Sequence, residues 1–210
     1  MKKLLVLLFS ILLLSSPSVF ADDISDFQIE GISIGDSLLD YMTEEEILTE
    51  IEETKDLYSH LNEPNKYAEV YLWDTSSTYT GGLSFLVKHN PTSKYITNKN
   101  RNEKYIILSV RGMIDYIEDF DGCIVKRDEI IEELSMMFPN TQKTEFSSEH
   151  SADPSGNSIA EGVYFDFDSG GGIEVSCDNF EETIRIKKNW AEGLSVSLDS
   201  KEIINWLSDN

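Results

Sequence analysis

Hydrophobic and polar positions along the chain fall into three kinds of run. One is apolar throughout, from Leu4 to Leu14 with Ser10 as its interruption. A second is short and rich in β-branched and aromatic residues, and it predicts strands. Tyr67–Trp73, Leu83–Val87 and Tyr105–Val110 form a first group, with Met113–Ile117 as an extension of the third run. Val163–Phe167, Ile173–Cys177, Thr183–Lys188 and Leu194–Leu198 form a second group. The third kind recurs at helical spacing. Ile47, Leu48, Ile51 and then Leu57 or Tyr58 share one face, so one helix or two short ones occupy 37–59. Ile130, Ile131, Leu134, Met137 and Phe138 share another, opened by Asp128 and Glu129 and stopped by Pro139. Ile203, Ile204, Trp206 and Leu207 predict a short terminal helix.

Local signals punctuate these runs. Asp36 precedes Ser37-Leu38-Leu39 as an N-cap, while Thr43 with Glu46, and Asp199 with Glu202, have capping-box spacing. Asn62-Glu63-Pro64-Asn65 is a turn, and Asp168-Ser169-Gly170-Gly171-Gly172 a hairpin connection. Asn90–Lys104 reads as a long solvated loop, and Asn140–Glu161, rich in Ser, Thr and Asn, as a surface loop. The order helix, three strands, helix, four strands, helix predicts an α+β fold with mostly antiparallel pairing. A single domain over 22–210 is expected, with two loosely similar helix-plus-strands halves at about 36–118 and 123–207.

The apolar run acquires its meaning from its flanks. Lys2 and Lys3 precede it and Val19-Phe20-Ala21 closes it, which is the pattern of a secretory signal peptide cut after Ala21. The run is too short for a bilayer, which takes roughly 20 apolar residues. A periplasmic or secreted protein with no membrane span in its mature chain is therefore expected. Losing 1–21 removes two lysines and no acid from a chain of formal net charge −22. So acidic a balance disfavours nucleic acid and anionic membranes as partners, and it permits a small cationic ligand or a basic protein. Acid that simply keeps an exported protein soluble is the plainer reading.

Cys123 and Cys177 are the only two cysteines, and in an exported chain such a pair predicts one disulfide. Closing a loop of that length is worth about 4 kcal/mol in the chain-entropy model.

Candidate chemistry is sparse. Gly35-Asp36-Ser37-Leu38 resembles the nucleophile motif of the GDSL (SGNH) hydrolases, in which the serine attacks an ester. That resemblance implies an aspartate three residues before a histidine near the C-terminus. Here Leu57, Leu86 and Ser147 stand three residues before His60, His89 and His150, the only histidines. No Asn-Asp dipeptide supplies the family's oxyanion segment. Ser37 as part of a helix start is the stronger reading, and secreted esterase activity through Ser37 the alternative. Asp166 and Asp168 hint at a calcium loop, but Gly170 and Cys177 stand where the loop needs carboxylates, so a hairpin is preferred. No zinc ligand set or phosphate loop is present in the sequence, and no cofactor is expected. Trp73, Trp190 and Trp206 suit either a ligand groove or half-buried sheet positions, of which the second is the commoner fate.

The lead-in Ile24-Ser25-Asp26-Phe27-Gln28-Ile29-Glu30-Gly31-Ile32-Ser33-Ile34-Gly35-Asp36-Ser37-Leu38 resembles uncharacterised exported proteins of marine alphaproteobacteria. This resemblance implies a Gram-negative periplasm and assigns no activity. The sequence thus leads to an exported acidic α+β protein that binds rather than catalyses.

Overall fold

The computed structural model describes residues 24, 27–55, 66–73, 78–89, 97–98, 101–102, 104–150, 153–188 and 190–209. The apolar run of the leader and the turn at 62–65 lie outside them. A 3-10 turn at Leu38–Asp40 leads into α1 (Glu44–Thr54). Then come β1 (Tyr67–Leu72), β2 (Gly82–Lys88), the two-residue strands β3 (Thr97–Asn98) and β4 (Arg101–Asn102), and β5 (Ile107–Asp115). The second run is α2 (Phe120–Met137), β6 (Gln142–Glu149), β7 (Ile159–Asp166), β8 (Gly172–Asn179), α3 (Glu182–Lys188), β9 (Gly193–Asp199) and α4 (Lys201–Ser208).

Seven strands form one sheet in the order β1-β2-β5-β9-β8-β7-β6, antiparallel throughout. The expected α+β class holds. Each run is a helix followed by a meander, and the two meanders meet where β5 pairs with β9, Arg111 standing opposite Ser197.

Alternation along the strands decides the two faces. On β8, Ile173, Val175 and Cys177 are buried on the side of α2, and on β9 Leu194, Val196 and Leu198 join them. Ile47 of α1, with Ile130 and Leu134 of α2, covers this face together with the N-terminal segment. That segment is held at its start by Phe27, whose ring meets Phe138 at 5.0 Å and Phe167 at 5.7 Å. Among the described residues the opposite face is covered at one end. There α4 lays Ile203, Ile204 and Trp206 on Tyr67, Leu86 and Leu108. The outer edge of β1 is closed by α1: Tyr71 donates its backbone N–H to Glu50, and the Thr54 hydroxyl donates to the Glu69 carbonyl. Among the described residues no helix is long and apolar enough to cross a membrane.

Four local expectations are corrected. The second helix begins eight residues early, at Phe120 rather than beside Asp128, because Asp119 caps it by accepting the Gly122 N–H. Asn140–Glu161 is no loop: it holds β6 and the start of β7. Gln142–Glu149 looked unstructured because it is an edge strand whose side chains are almost all exposed. Thr183–Lys188 is helical although its β-branched residues suggested a strand. β8 and β9 pair directly, so the sheet has no place between them for another strand, and Glu181 accepts the Ile184 N–H at the helix start. Finally, Ser200 rather than Asp199 caps α4, accepting the Ile203 N–H, since Asp199 is still in β9. The second group therefore does have four strands, though one predicted strand is a helix and one real strand was read as a loop.

Cys123 in the first turn of α2 and Cys177 on β8 are joined as expected, with Cα atoms 6.0 Å apart and both residues fully buried. The bridge closes a loop of sequence separation 54. Replacing both cysteines by alanine is expected to lower unfolding free energy by about 4 kcal/mol, read from urea denaturation. Unreduced protein from an exporting host is expected to show no thiol-reactive mass shift; two free thiols would contradict it.

Candidate functional site

The open face of the sheet is polar because alternation sends every second residue there. β8 contributes Gly172, Glu174, Ser176 and Asp178; β9 contributes Ser195, Ser197 and Asp199; β5 contributes Ser109, Arg111 and Met113. The serines Ser84, Ser109, Ser176, Ser195 and Ser197 are short and buried, so the middle of the face is sunken. The hollow is a cavity of about 660 Å³ toward the Trp190 end and one of about 380 Å³ toward α4. Ser84, Arg111 and Glu174 line both, so the two form one continuous groove.

Arg111 stands at the centre of that groove. Its side chain is exposed to solvent through the groove mouth. Burial opposes its charge, but Glu174, Asp199, Glu69 and Asp178 outweigh this and raise its pKa above the ordinary arginine value. None of the four closes on it as a direct ion pair.

Its acidic neighbours differ in what holds them. Asp199 is locked, with the Ser109 hydroxyl donating to one carboxylate oxygen at 2.5 Å and the Ser197 hydroxyl to the other at 2.7 Å. Glu174 accepts from Ser176 at 3.0 Å. Burial raises the pKa of Glu69 against the pull of Arg111 and bonds from Tyr71 and Ser84. Asp178 has no hydrogen-bond donor among the described residues. Its carboxyl is pushed up to about 6, first by burial and further by Glu174, with Arg111 working the other way. A carboxyl so perturbed in a cleft marks a functional-site candidate. Beside them Tyr164 lies across Gly172, where a Cβ would come within 2.1 Å of its hydroxyl. That hydroxyl is buried without a hydrogen-bond partner, and burial raises its pKa.

Aromatic side chains stand at the two ends of the larger cavity. On the β1 side Tyr71 and Trp73 stack in parallel with ring centroids 5.0 Å apart, and Trp73 is 48% exposed. On the β8 side Phe180 and Trp190 pack at 4.8 Å, with the His150 ring 5.1 Å from Phe180 and 5.0 Å from Trp190. Burial lowers the His150 pKa, with Asp153 opposing, so the ring is neutral at pH 7. Glu192 braces this end by accepting the backbone N–H groups of Glu118 and Phe180 while facing Arg185 at 3.4 Å. Two of the three tryptophans thus line the groove. Trp206 does not: it packs on Tyr67 at 4.6 Å beneath α4.

The sequence candidates lie elsewhere. Ser37 is 3% exposed and forms a bridge with Ile106 beside β5. Its hydroxyl donates to the Lys104 carbonyl at 2.6 Å and accepts the Leu39 N–H at 3.3 Å. Ser37 itself, not Asp36, caps the short helical turn; Asp36 instead accepts from the Ser33 N–H and the Tyr41 hydroxyl. The His89 ring stacks over Tyr105 and makes no bond to Ser37. Asp166 ends β7 and Asp168 lies in the hairpin, both exposed. Among the described residues no group of three or more His, Cys, Asp or Glu side chains could hold a metal ion.

Two outcomes test these assignments. Ser37→Ala is expected to cost about 1–2 kcal/mol of stability, through a lost cap and an orphaned carbonyl, as a shift in urea midpoint. Fluorophosphonate labelling is expected in neither protein; labelling that vanished in the variant would make Ser37 a nucleophile. For Asp178 the folded carboxyl titrates near 6 and an unfolded one near 3.8, so the contribution of this group to stability is most favourable below pH 3.8 and falls as pH rises through 6. Asp178→Asn is therefore expected to raise stability above pH 6 by up to about 3 kcal/mol, and hardly at all at pH 3.5. Equal effects at both pH values would count against an enclosed carboxylate.

No protein-family model, curated protein or solved structure matches this chain, so the chemistry of the groove has to come from its own residues.

Proposed function

We propose that this chain is an exported, periplasmic binding protein that holds its ligand in the Arg111 groove and does no covalent chemistry. The carrying observation is the unclosed charge at the groove centre. Among the described residues no side chain bonds to Arg111 or to Asp178, and both line the same cavity. Aromatic surfaces flank them, and such surfaces supply most of the contact area in recognition sites. The Lys2–Ala21 leader pattern and the buried disulfide support an oxidising compartment outside the cytoplasm.

Position favours binding over ester hydrolysis through Ser37. The serine hydroxyl is spent on backbone partners in a buried turn, whereas the groups around Arg111 face open space. A general base for Ser37 has no counterpart among its hydrogen-bond partners.

Tryptophan emission of the processed, exported protein provides the test, because Trp73 and Trp190 line the groove. Separate titrations with basic peptides, neutral oligosaccharides and dicarboxylates are expected to give a saturable change with one class. Trp73→Ala and Arg111→Ala, each checked for folding by circular dichroism, are expected to weaken that binding at least tenfold. Emission unmoved by every class, or a ligand bound equally by both variants, would remove the groove as the site.

A further inference from the structure

The groove has a shape and a charge pattern that narrow its occupant. This step rests on the binding reading above and adds the chemistry of the ligand. Tyr71, Ser84, Arg111, Ser197 and Glu174 lie in one register row from β1 to β8. Those are four strand spacings, so the row is about 19 Å long, the reach of about six extended residues. The two aromatic ends are thus too far apart to sandwich one small molecule, and they suit an elongated chain lying across the strands.

Charge sets the sign. Glu50, Glu53, Glu174 and Asp178 line the larger cavity against Arg111 and Lys188. Glu69 and Asp199 add two more carboxylates beside Arg111 in the smaller one. A cationic head is favoured among those acids and against the exposed faces of Trp73 and Trp190. Acid alone would not identify a site. The independent observation is Asp178, a half-buried carboxylate that lines the cavity and accepts no hydrogen bond from any described residue. Arg111, exposed in the middle of these acids, repels a simple polycation and offers its donors to an acceptor in the ligand. A peptide backbone supplies that acceptor at every residue.

We infer that the groove receives an extended basic peptide segment, its Lys or Arg side chains on the carboxylates of the floor, a backbone carbonyl on Arg111, and its ends against the Trp73 and Trp190 walls.

Isothermal titration of the processed protein with four probes tests this. They are a blocked hexapeptide of alternating lysine and alanine, the same peptide with serine for lysine, spermidine, and a neutral maltooligosaccharide. The basic hexapeptide is expected to bind one-to-one, at least tenfold tighter than the other three, with affinity falling as salt rises. Asp178→Asn and Glu174→Gln are each expected to weaken it at least fivefold. Arg111→Gln is expected to weaken the peptide while spermidine, relieved of a like charge, binds no more weakly; Glu145→Gln on the exposed edge strand β6 changes neither. Spermidine binding as tightly as the peptide would overturn the inference. A bound oligosaccharide with silent cations would overturn it too and leave the groove standing as a site. Silence from all four probes, together with unmoved tryptophan emission, would remove the groove itself.

Discussion

Cys123 and Cys177 tie the first turn of α2 to the middle of the sheet, and that attachment settles which face is buried. Once the helix lies on the Ile173, Val175 and Cys177 side, every apolar residue in register with them has to point the same way. Leu194, Val196 and Leu198 follow on β9 and Val110 on β5, and a register shift at Val87 brings Ile107 to the same side. A one-residue slip of β9 against β8 would turn three leucine and valine side chains outward and three polar ones into the core. The serines and acids of these strands are therefore as firmly directed outward as the aliphatic residues are directed inward.

The outer face inherits this constraint without a second helical layer to cover it. Among the described residues only α4, of eight residues, reaches it, and its apolar side is used up on Tyr67, Leu86 and Leu108 at one end. The remainder is walled from the sides, by Trp73 on one flank and by Phe180 and Trp190 on the other. Short serine side chains beneath and aromatic walls at the ends are enough to make a depression. The groove is a consequence of where large and small residues fall in the alternating pattern.

Much of this architecture was legible in the residues themselves. Strands with β-branched alternation, the Thr43–Glu46 capping box and the cysteine pair are local or compositional signals, and the structure realises each of them. The misread segments are those whose outcome depends on neighbours. Gln142–Glu149 is a strand only because β7 offers it a partner, and being an edge it needs no apolar side. Ile184 and Ile186 would suit a strand, but the β8–β9 pairing leaves that segment outside the sheet. The groove was missed for the same reason. Arg111, Glu174 and Asp178 come from strands far apart in sequence, and only the β5–β9–β8 pairing places them together. A signal did exist: an arginine in the middle of a run as apolar as Ile107–Met113 is costly in a central strand and calls for a reason.

Stability alone does not supply that reason. An arginine beside carboxylates stabilises a fold when the pair closes with good geometry, and even then the net gain is small or negative once desolvation is counted. Around Arg111 none of the described carboxylates closes, while partial burial of Asp178 makes ionising it oppose folding at neutral pH. Replacing Asp178 by an uncharged residue would remove that unfavourable term, at the loss of one of the four carboxylates that favour the charge of Arg111. Retaining separated, unspent charges in a sunken, solvent-open place makes physical sense where a ligand completes their hydrogen bonds, since the interactions withheld from the fold are then available to binding.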